Sequence, residues 1–539
     1  MSAAPTDPVS SLRRVITDAV AELGDGVAEP GLERPPRAEL GDYSSNAAML
    51  AAPVVRRAPR DVASDLAESV AARIGADVDS VEVAGPGFLN LHMTEAWMRA
   101  AAAEVVAAGG RFGSGVVDEP RKILVEFVSA NPTGPITVAS GRHAAYGDSL
   151  ARLLAFAGHE VGREYYINDA GGQIRLFGES IAARIEGRGV PEGGYEGDYV
   201  AELGERIAAE GGAIDAEALA QRGVELMVDS IRATLERARV SFDRWSSERD
   251  LHESGAIDEA VEALRERGLV YESEDAIWLR TTDLGDDKDR VLVKADGEPT
   301  YFAPDIAYHR DKLQRGWDLL IDVWGADHHG YVARMAAAMA ALGEPEGSFE
   351  VEIMQLVNLL EGGERARMSK RRGDFATLDD LIDDIGVDAT RFFLVQRSHE
   401  TPLDIDLELA RKQSADNPVY YVQYAHARIC SLFRAAAEDP DESGEPAPAG
   451  SLEPAERRLI TTLLEYPGQV AHAARVREPH AIGGYARDVA SDFHAFYRDC
   501  RVVGAEPGLQ AARLEVCGAA RVVIASCLEL LGIEAPEEM

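Results

Sequence analysis

Apolar residues along this chain follow two different spacings, and the changes between them divide it into three parts. Residues 1–110 begin with a helical pattern and end in the strand-like run VEVAGPGFLNLHM, which predicts a compact α+β domain. Residues 111–404 carry strand-like apolar runs at 123–128, 291–293 and 319–323, separated by helical patterns. This alternation favours a parallel sheet with helices on both faces.

The remaining patterns are helical. A polar, charge-rich stretch from about 180 to 280 is predicted to be a helical insertion in the middle part. From 405 to 539 the strand signals nearly vanish, so the last part is predicted to be a helix bundle. Its interruption at 437–454 is acidic and rich in proline and glycine, which is typical of a flexible loop between helices.

Composition favours a cytoplasmic globular protein. The 539 residues are 46% hydrophobic, and no run of about 18 apolar residues predicts a membrane span. The first residues lack the features of a secretory signal, so none is expected. The four cysteines show no metal-ligand spacing, which fits a reduced compartment and predicts no protein-bound metal. The net charge of −38 identifies no partner, because nucleic-acid binding depends on where the positive residues cluster.

A candidate phosphate site lies in the segment SANPTGPITVAS, between the predicted strand at 123–128 and a helical pattern over 137–158. Two prolines, a glycine and an asparagine predict a tight loop there. A strand, loop and helix start in this order aim free backbone N–H groups and the positive end of the helix dipole at a ligand, which suits a phosphate. The alternative is a loop and helix that merely continue an α/β sheet.

A second candidate is the basic segment RARMSKRR. Its positive residues are Arg365, Arg367, Lys370, Arg371 and Arg372. Glycines on both sides predict a mobile loop, and such a loop can close over a triphosphate and offset charge that develops on the leaving pyrophosphate. A basic surface patch is the alternative.

Two more patterns suit a small substrate. Tyr301 and Asp305 are four residues apart and share one face of a helix, where a ring and a carboxylate can hold a guanidinium. An ordinary helix salt bridge is the simpler alternative. The sequence DHHG at 327–330 follows the predicted strand at 319–323, and a nucleotide or substrate contact is favoured there over a metal site.

Ordered matches along nearly the whole chain resemble the arginyl-tRNA synthetases, a class I aminoacyl-tRNA synthetase family. GDYSSNAAM is similar to the family's N-terminal domain, SANPTGP, REYYINDAGGQI and MSKRRGDFATLDD to its catalytic core, and NPVYYVQYAHARI to its anticodon-binding domain. The resemblance implies a Rossmann-type parallel sheet over 111–404, an α+β domain that contacts tRNA over 1–110, and an all-α anticodon-binding bundle over 405–539. It further implies that ATP with Mg²⁺ activates L-arginine to arginyl-adenylate, that the arginyl group passes to tRNA(Arg), and that the protein is a monomer.

The resemblance also implies site residues by matching position. Those expected to hold arginine are Glu126, Ser129, Asn131, Tyr301, Asp305 and His328. Those expected to bind ATP are Gly325, Asp327, Met368, Ser369 and Lys370. Those expected to act in catalysis are Lys370, Arg367, Thr137 and Ser140. Those expected to stack on anticodon bases are Tyr421, Tyr424, Phe493 and Tyr497, with aromatic packing inside the bundle as the equal alternative.

The first signature departs from the family's HIGH pattern. The matching segment consists of Ala130, Asn131, Pro132, Thr133, Gly134, Pro135, Ile136, Thr137, Val138, Ala139 and Ser140. Thr137 and Ser140 stand where the family has histidines that donate to ATP phosphates, and Ala139, in place of glycine, is expected to press on the adenine. Since loss of one preorganised donor costs roughly 10²- to 10³-fold in rate, a slower enzyme is expected unless Arg142 or His143 reaches back.

Two functions follow from this departure. The first is a working arginine–tRNA ligase with a rewritten signature, which the matching arginine site, basic loop and tRNA-binding segments favour. The second is a catalytically weak or inactive paralogue that binds tRNA or arginine in a regulatory role.

Overall fold

The computed structural model describes residues 7–211, 215–365, 376–438 and 450–539. It contains the predicted N-terminal α+β part, parallel-sheet core and helical C-terminal part. None of the helices in the described ranges combines the length and apolarity that crossing a membrane requires.

The N-terminal part is an antiparallel sheet covered by helices. Its elements are α1 (Pro8–Ala21), β1 (Leu32–Glu33), β2 (Tyr43–Ser45), α2 (Ala47–Val55), α3 (Pro59–Ile74), β3 (Val78–Ala84), β4 (Phe88–Met93) and α4 (Glu95–Ala108). The strand order is β1-β2-β4-β3. Helix α1 begins where Asp7 accepts a hydrogen bond from the Val9 N–H, and its Leu12 and Ile16 are buried at helical spacing.

The core begins with a strand, the helix that follows the candidate phosphate loop, and a helical unit. These elements are β5 (Lys122–Glu126), α5 (Val138–Ala157), β6 (Glu160–Ile167), α6 (Gly172–Ile185), α7 (Asp198–Glu210), α8 (Ala216–Arg237) and β7 (Arg244–Ser247). The second half of the core comprises α9 (Glu248–Ser254), α10 (Ala256–Glu266), β8 (Val270–Ser273), β9 (Ala276–Leu279), β10 (Arg290–Val293), α11 (Phe302–Gln314), β11 (Leu319–Gly325), α12 (Val332–Leu342), β12 (Phe349–Met354), β13 (Val357–Glu361), β14 (Glu364–Arg365), α13 (Leu378–Ile385), α14 (Val387–Val395) and β15 (Leu403–Asp406).

A five-stranded parallel sheet in the order β12-β11-β5-β6-β7 lies at the centre of the core. The chain runs from β5 through α5 to β6 on one side, and β11 pairs with the other side of β5. The runs at 123–128 and 319–323 therefore form the neighbouring central strands, as the parallel α/β prediction requires. A separate three-stranded sheet joins β14, β13 and β15.

The stretch at 180–280 is more divided than the predicted insertion. Helices α6, α7 and α8 pack around a core of their own, which includes Phe177, Ile181 and Leu219. Strand β7, with the sequence RWSS, nevertheless joins the central sheet, and its lack of an apolar run explains why the pattern missed it. The run at 291–293 is a strand, but it belongs to the antiparallel sheet β10-β9-β8 and not to the parallel sheet. A short apolar run does not specify its partner strand, which accounts for this error.

The C-terminal part is a helix bundle. Its elements are α15 (Leu407–Ala410), α16 (Pro418–Glu438), α17 (Pro454–Leu464), α18 (Tyr466–Arg475), α19 (His480–Asp499) and α20 (Pro507–Leu530). Most of the predicted loop at 437–454 lies outside the described residues.

Candidate active site

A cleft of about 590 Å³ opens at the carboxyl ends of β5 and β11. The strand order changes direction between β5 and β11, since β6 lies on one side of β5 and β11 on the other. The carboxyl ends of strands at such a point are where open α/β sheets bind ligands. The predicted site residues that line it are Glu126, Ser129, Asn131, Ala139, Ser140, Asp305, Gly325, Asp327 and His328. Residues from four distant segments are thus brought together as expected.

The chain turns sharply into the cleft directly after β5. Val128 and Ser129 have φ angles of 70° and 39°, in the left-handed region that such residues seldom adopt. The Ser129 hydroxyl donates to Glu126 Oε1 at 2.8 Å and accepts from the Tyr166 N–H at 3.1 Å. These bonds hold a strained turn in place, a feature that clusters at ligand sites.

The rest of the candidate phosphate loop is held from outside by tyrosines. The Tyr165 hydroxyl donates to the carbonyl of Ala130 and the Tyr199 hydroxyl to that of Thr133, both at 2.8 Å. Asn131 donates to Gln173 at 2.8 Å and is exposed in the cleft. The other members of the loop are buried or half-buried, namely Pro132, Gly134, Pro135, Ile136 and Val138. The loop is therefore a fixed scaffold that presents few side chains.

Helix α5 starts with two hydroxyl groups. Thr137 is the N-cap, since its Oγ1 accepts a hydrogen bond from the Ser140 N–H at 3.2 Å. The two hydroxyl oxygens lie 3.3 Å apart, and Ser140 and Ala139 face the cleft. The Thr137 hydroxyl oxygen thus satisfies one backbone donor of the helix start, and either of the two hydroxyl groups can donate to the other.

The first signature is also bonded to the chain that follows the basic segment. The Val138 N–H donates to the Ala376 carbonyl at 3.0 Å, and the Leu378 N–H donates to the Ile136 carbonyl at 2.8 Å. The predicted loop residues Arg367, Met368, Ser369 and Lys370 lie outside the described residues. Ala376, the first described residue after the basic segment, is therefore hydrogen-bonded to the start of α5.

A buried charge network holds Glu126 at the floor of the cleft. The fully buried Lys312 ammonium donates to Glu126 and, at 2.9 Å, to Asp322, which also pairs with His309 at 2.9 Å. Burial raises the pKa of Glu126, although the charge of Lys312 opposes this. Burial also acts to raise the pKa of Asp322, but the charges of Lys312 and His309 outweigh it and lower this pKa to about 2. Glu126 is 8% exposed and retains lone pairs that can accept a further donor.

The cleft wall around Asp305 is acidic, and among the described residues no lysine or arginine pairs with this carboxylate. Asp305 accepts a hydrogen bond from the Tyr331 hydroxyl, and burial raises its pKa. Glu248, the first residue of α9, does not line the cleft, but it lies near enough to Asp305 for their charges to interact, and burial together with the charges of Asp305 and Asp169 raises its pKa to about 7. Among the described residues, no lysine or arginine forms an ion pair with Asp305 or Glu248, and only His252 approaches Glu248, at 3.9 Å.

Tyr301 does not share this end of the cleft with Asp305. Its side chain is 78% exposed at the start of α11 and is absent from the cleft wall, so the expected ring beside Asp305 is Tyr331 instead. Sequence reasoning missed Tyr331 and Glu248. Tyr331 ends the matched motif GADHHGY, which offered a signal, but Glu248 follows the unrecognised strand β7.

The end of β11 leaves open backbone beside the cleft. A Cβ on Gly325 would lie 2.6 Å from Oδ1 of the exposed Asp327 side chain, which would have to turn away to make room. The side chains of Asp327 and His328 are 83% and 59% exposed, with Oδ2 and Nε2 3.4 Å apart. The His143 ring lies close by, its Cε1 3.9 Å from the same Cβ position.

Arg142 does not reach back to the phosphate loop. Its guanidinium is buried and donates to the backbone carbonyls of Gln355, Ser398 and Thr401 at 2.7, 2.9 and 3.0 Å. Arg142 therefore fastens α5 to the neighbouring strands, and of the two residues considered for compensation only His143 lines the cleft.

The predicted aromatic surface of the bundle is partly present. Tyr424 and Tyr497 lie on either side of Arg428, whose guanidinium carbon is 4.6 Å from each ring centre, beside a groove of about 570 Å³. Tyr421 packs against His494 with ring centres 4.8 Å apart. Phe493 is fully buried and packs inside the bundle, so it does not belong to the surface.

Comparison with known proteins covers all three parts. Family models match residues 10–93 (arginyl tRNA synthetase N terminal domain), 213–421 (tRNA synthetases class I (R), catalytic domain) and 422–539 (DALR anticodon binding domain). Arginine–tRNA ligases of Frankia alni and Carboxydothermus hydrogenoformans are 48% and 44% identical, over 99% and 94% of this chain and 100% and 94% of their own. The arginyl-tRNA synthetase structure of Thermus thermophilus covers 98% of this chain and 100% of its own, with a TM-score of 0.79 and 23% identity, and supports the fold.

Proposed function

The chain belongs to the arginyl-tRNA synthetase family, and we propose that it ligates arginine to tRNA(Arg) through a first signature that uses hydroxyl groups where the family has histidines. The reaction class is ATP-dependent aminoacylation. Attack of the arginine carboxylate on the α-phosphorus of ATP releases pyrophosphate, and attack of the terminal tRNA hydroxyl on the arginyl carbonyl then releases AMP. ATP is taken to enter with Mg²⁺ as part of the substrate.

The observation that carries the proposal is a pair of acidic groups without a matching cation among the described residues, namely Asp305 in the cleft wall and Glu248, which is near enough for the two charges to interact. Asp305 and Glu248 both have raised pKa values, so a bound cation would relieve the cost of ionising them. A guanidinium suits this position because its planar donors can serve two carboxylates at once. The Tyr331 ring beside Asp305 is then placed to pack against the guanidinium plane.

The other end of the cleft suits the reacting groups. Glu126 is held by Lys312 and Ser129 and can accept from the arginine α-ammonium group. Ser140 and Ala139 line the part of the cleft proposed for the ATP phosphates, and the Thr137 hydroxyl oxygen lies 3.3 Å from that of Ser140. This arrangement uses the helix dipole and neutral donors, and leaves the positive charge to the basic loop.

The basic loop is proposed to supply Lys370 and Arg367 as cations for the pyrophosphate. Five residues of the sequence lie between Lys370 and Ala376, whose carbonyl accepts a hydrogen bond from the Val138 N–H at the start of α5. The aromatic groove around Arg428 is proposed to receive anticodon bases, with Tyr424 and Tyr497 as stacking surfaces. A monomer is proposed from the same family relationship.

Substitution of the acidic end tests the arginine site. We expect Asp305→Asn and Glu248→Gln each to raise the KM for arginine by about tenfold or more, because each removes a charge-assisted bond. The KM for ATP should stay within twofold. Glu253→Gln, an exposed carboxylate on the same helix as Glu248, is the matched control.

A neutral analogue sharpens this test. Citrulline has the shape of arginine without its charge, so the wild-type protein should bind it more weakly than arginine. Glu248→Gln should reduce this difference in affinity between the two amino acids. Unchanged selectivity in both variants would contradict the proposed arginine site.

A further inference from the structure

His143 is a cleft residue that the proposed reaction has not yet used. It lies three residues after Ser140 and four after Ala139 on α5, so the three residues share the helix face that lines the cleft. Its ring lies beside the end of β11, next to Gly325, where open backbone leaves room for a ligand. The ring therefore lies one helical turn deeper than the two hydroxyl groups.

The His143 ring has no fixed partner. No residue in the described ranges forms a hydrogen bond with it, although Asp327 and His328 are near enough for their charges to act on it. His309 in the same cleft is held on both ring nitrogens, by Asp322 at 2.9 Å and by the Asp305 carbonyl at 2.8 Å. The His143 imidazole is half-buried in the cleft wall, so its nitrogens are available to a ligand that enters the cleft.

Its protonation state indicates which ligand chemistry suits it. Burial and the neighbouring Arg142 lower the pKa of His143 to about 4. At neutral pH the ring therefore offers one N–H donor and one acceptor and carries no charge. Such a group matches the hydroxyl groups and ring nitrogens of a nucleoside better than it matches a triphosphate.

We propose that His143 is a nucleotide-binding residue that hydrogen-bonds the nucleoside part of ATP between α5 and Gly325. The inference rests on the proposed function, since it places ATP in this cleft. The second turn of α5 would then contact the nucleotide through the His143 imidazole. The first turn, with Thr137 and Ser140, offers only hydroxyl groups. The charges that act on His143 are those of Arg142, Asp327 and His328, and not those of Asp305 or Glu248, so its effect should be specific to the nucleotide.

Nucleotide binding measured without turnover tests the assignment. Calorimetry with Mg²⁺ and a non-hydrolysable ATP analogue would compare wild-type protein, His143→Phe, which keeps a ring and removes both hydrogen-bonding atoms, and His143→Asn, which keeps an amide donor and acceptor. We expect His143→Phe to weaken binding by about tenfold, His143→Asn to weaken it less, and arginine binding to be unchanged in both. His472→Ala, an exposed histidine on α18, is the control and should bind like the wild type.

Two results would overturn the assignment. Equal nucleotide affinity of wild type and His143→Phe would remove His143 from the site while leaving the proposed function intact. Parallel losses of nucleotide affinity, arginine affinity and thermal stability in both variants would show that His143 acts only in packing. Failure of the wild-type protein itself to bind the analogue would instead contradict the proposed function.

Discussion

Two hydroxyl-bearing residues define the chemistry of the first signature. Thr137 caps α5 through the Ser140 N–H, a role for which threonine is well suited and histidine is not. The two hydroxyl oxygens lie 3.3 Å apart, and under the proposed function they combine helix capping with donation to ATP. Ala139 adds a methyl group to the same cleft wall, and the structure leaves it exposed there. We therefore expect a weaker phosphate contact than histidines would make, together with a better-capped helix.

If the proposed arginine site is correct, the Glu248 carboxyl is expected to give arginine binding a pH dependence. Its pKa is raised to about 7 in the free protein, so it is half protonated near neutral pH. A guanidinium binds the ionised form more tightly, hence arginine affinity should rise as the pH increases through this pKa and fall below it, by up to about tenfold per pH unit. Calorimetry at about pH 6, 7 and 8 would measure this change and the proton released on binding.

The matched variant identifies the group. Glu248→Gln should bind arginine weakly with little dependence on pH across that range. If the affinity of the wild type for arginine is the same at all three pH values, Glu248 does not bind the guanidinium.

At the scale of elements, α5 connects the cleft to the rest of the core. Its Gly147 packs so closely on Phe127, which follows β5, that a Cβ would lie 2.2 Å from the Phe127 ring. Its Asp148 forms a buried ion pair with Arg391 of α14 at 2.6 Å, and Arg391 also donates to the Leu531 carbonyl at the end of the bundle. The position of the signature therefore depends on contacts along the whole length of α5.

Gly147→Ala should disturb this packing. The added methyl cannot fit without a shift of α5 or Phe127, and we expect a destabilisation of about 1–3 kcal/mol, seen as a lower midpoint of thermal unfolding. Gly484→Ala on α19 is the control, since its Cβ would meet no atom within 4 Å and alanine favours helix. Equal midpoints for the two variants would contradict the close approach.

The sequence predicted elements more reliably than their partners. Helix α5 was predicted over 137–158 and occurs over Val138–Ala157, because its apolar spacing and caps are local features. The run at 291–293 is a strand, but it belongs to the antiparallel sheet β10-β9-β8 and not to the predicted parallel sheet. Tyr301 was expected beside Asp305, but the ring that donates a hydrogen bond to Asp305 is that of Tyr331. Sheet partners and side-chain directions depend on distant residues, which local patterns do not encode.

At the scale of the molecule, the N-terminal and C-terminal parts contact each other. The Asp42 carboxylate accepts from the Arg457 guanidinium through both oxygens at 2.6 Å, and Arg34 donates to Thr462 at 2.8 Å. More than four hundred positions separate Asp42 from Arg457, so no sequence pattern could show this contact. The two parts expected to hold tRNA thus lie against each other, next to the core that carries the cleft.

Arginylation of a tRNA(Arg) transcript by the purified protein, with ATP, Mg²⁺ and labelled arginine, shows directly whether this protein is a working ligase without the signature histidines. We predict charging by the wild type, loss of charging in Lys370→Ala, and a rate reduced roughly 10²- to 10³-fold when Thr137→Val and Ser140→Ala are combined. Unfolding midpoints would confirm that each variant is folded. No charging by a folded wild-type protein that binds tRNA would contradict the account and favour the regulatory paralogue.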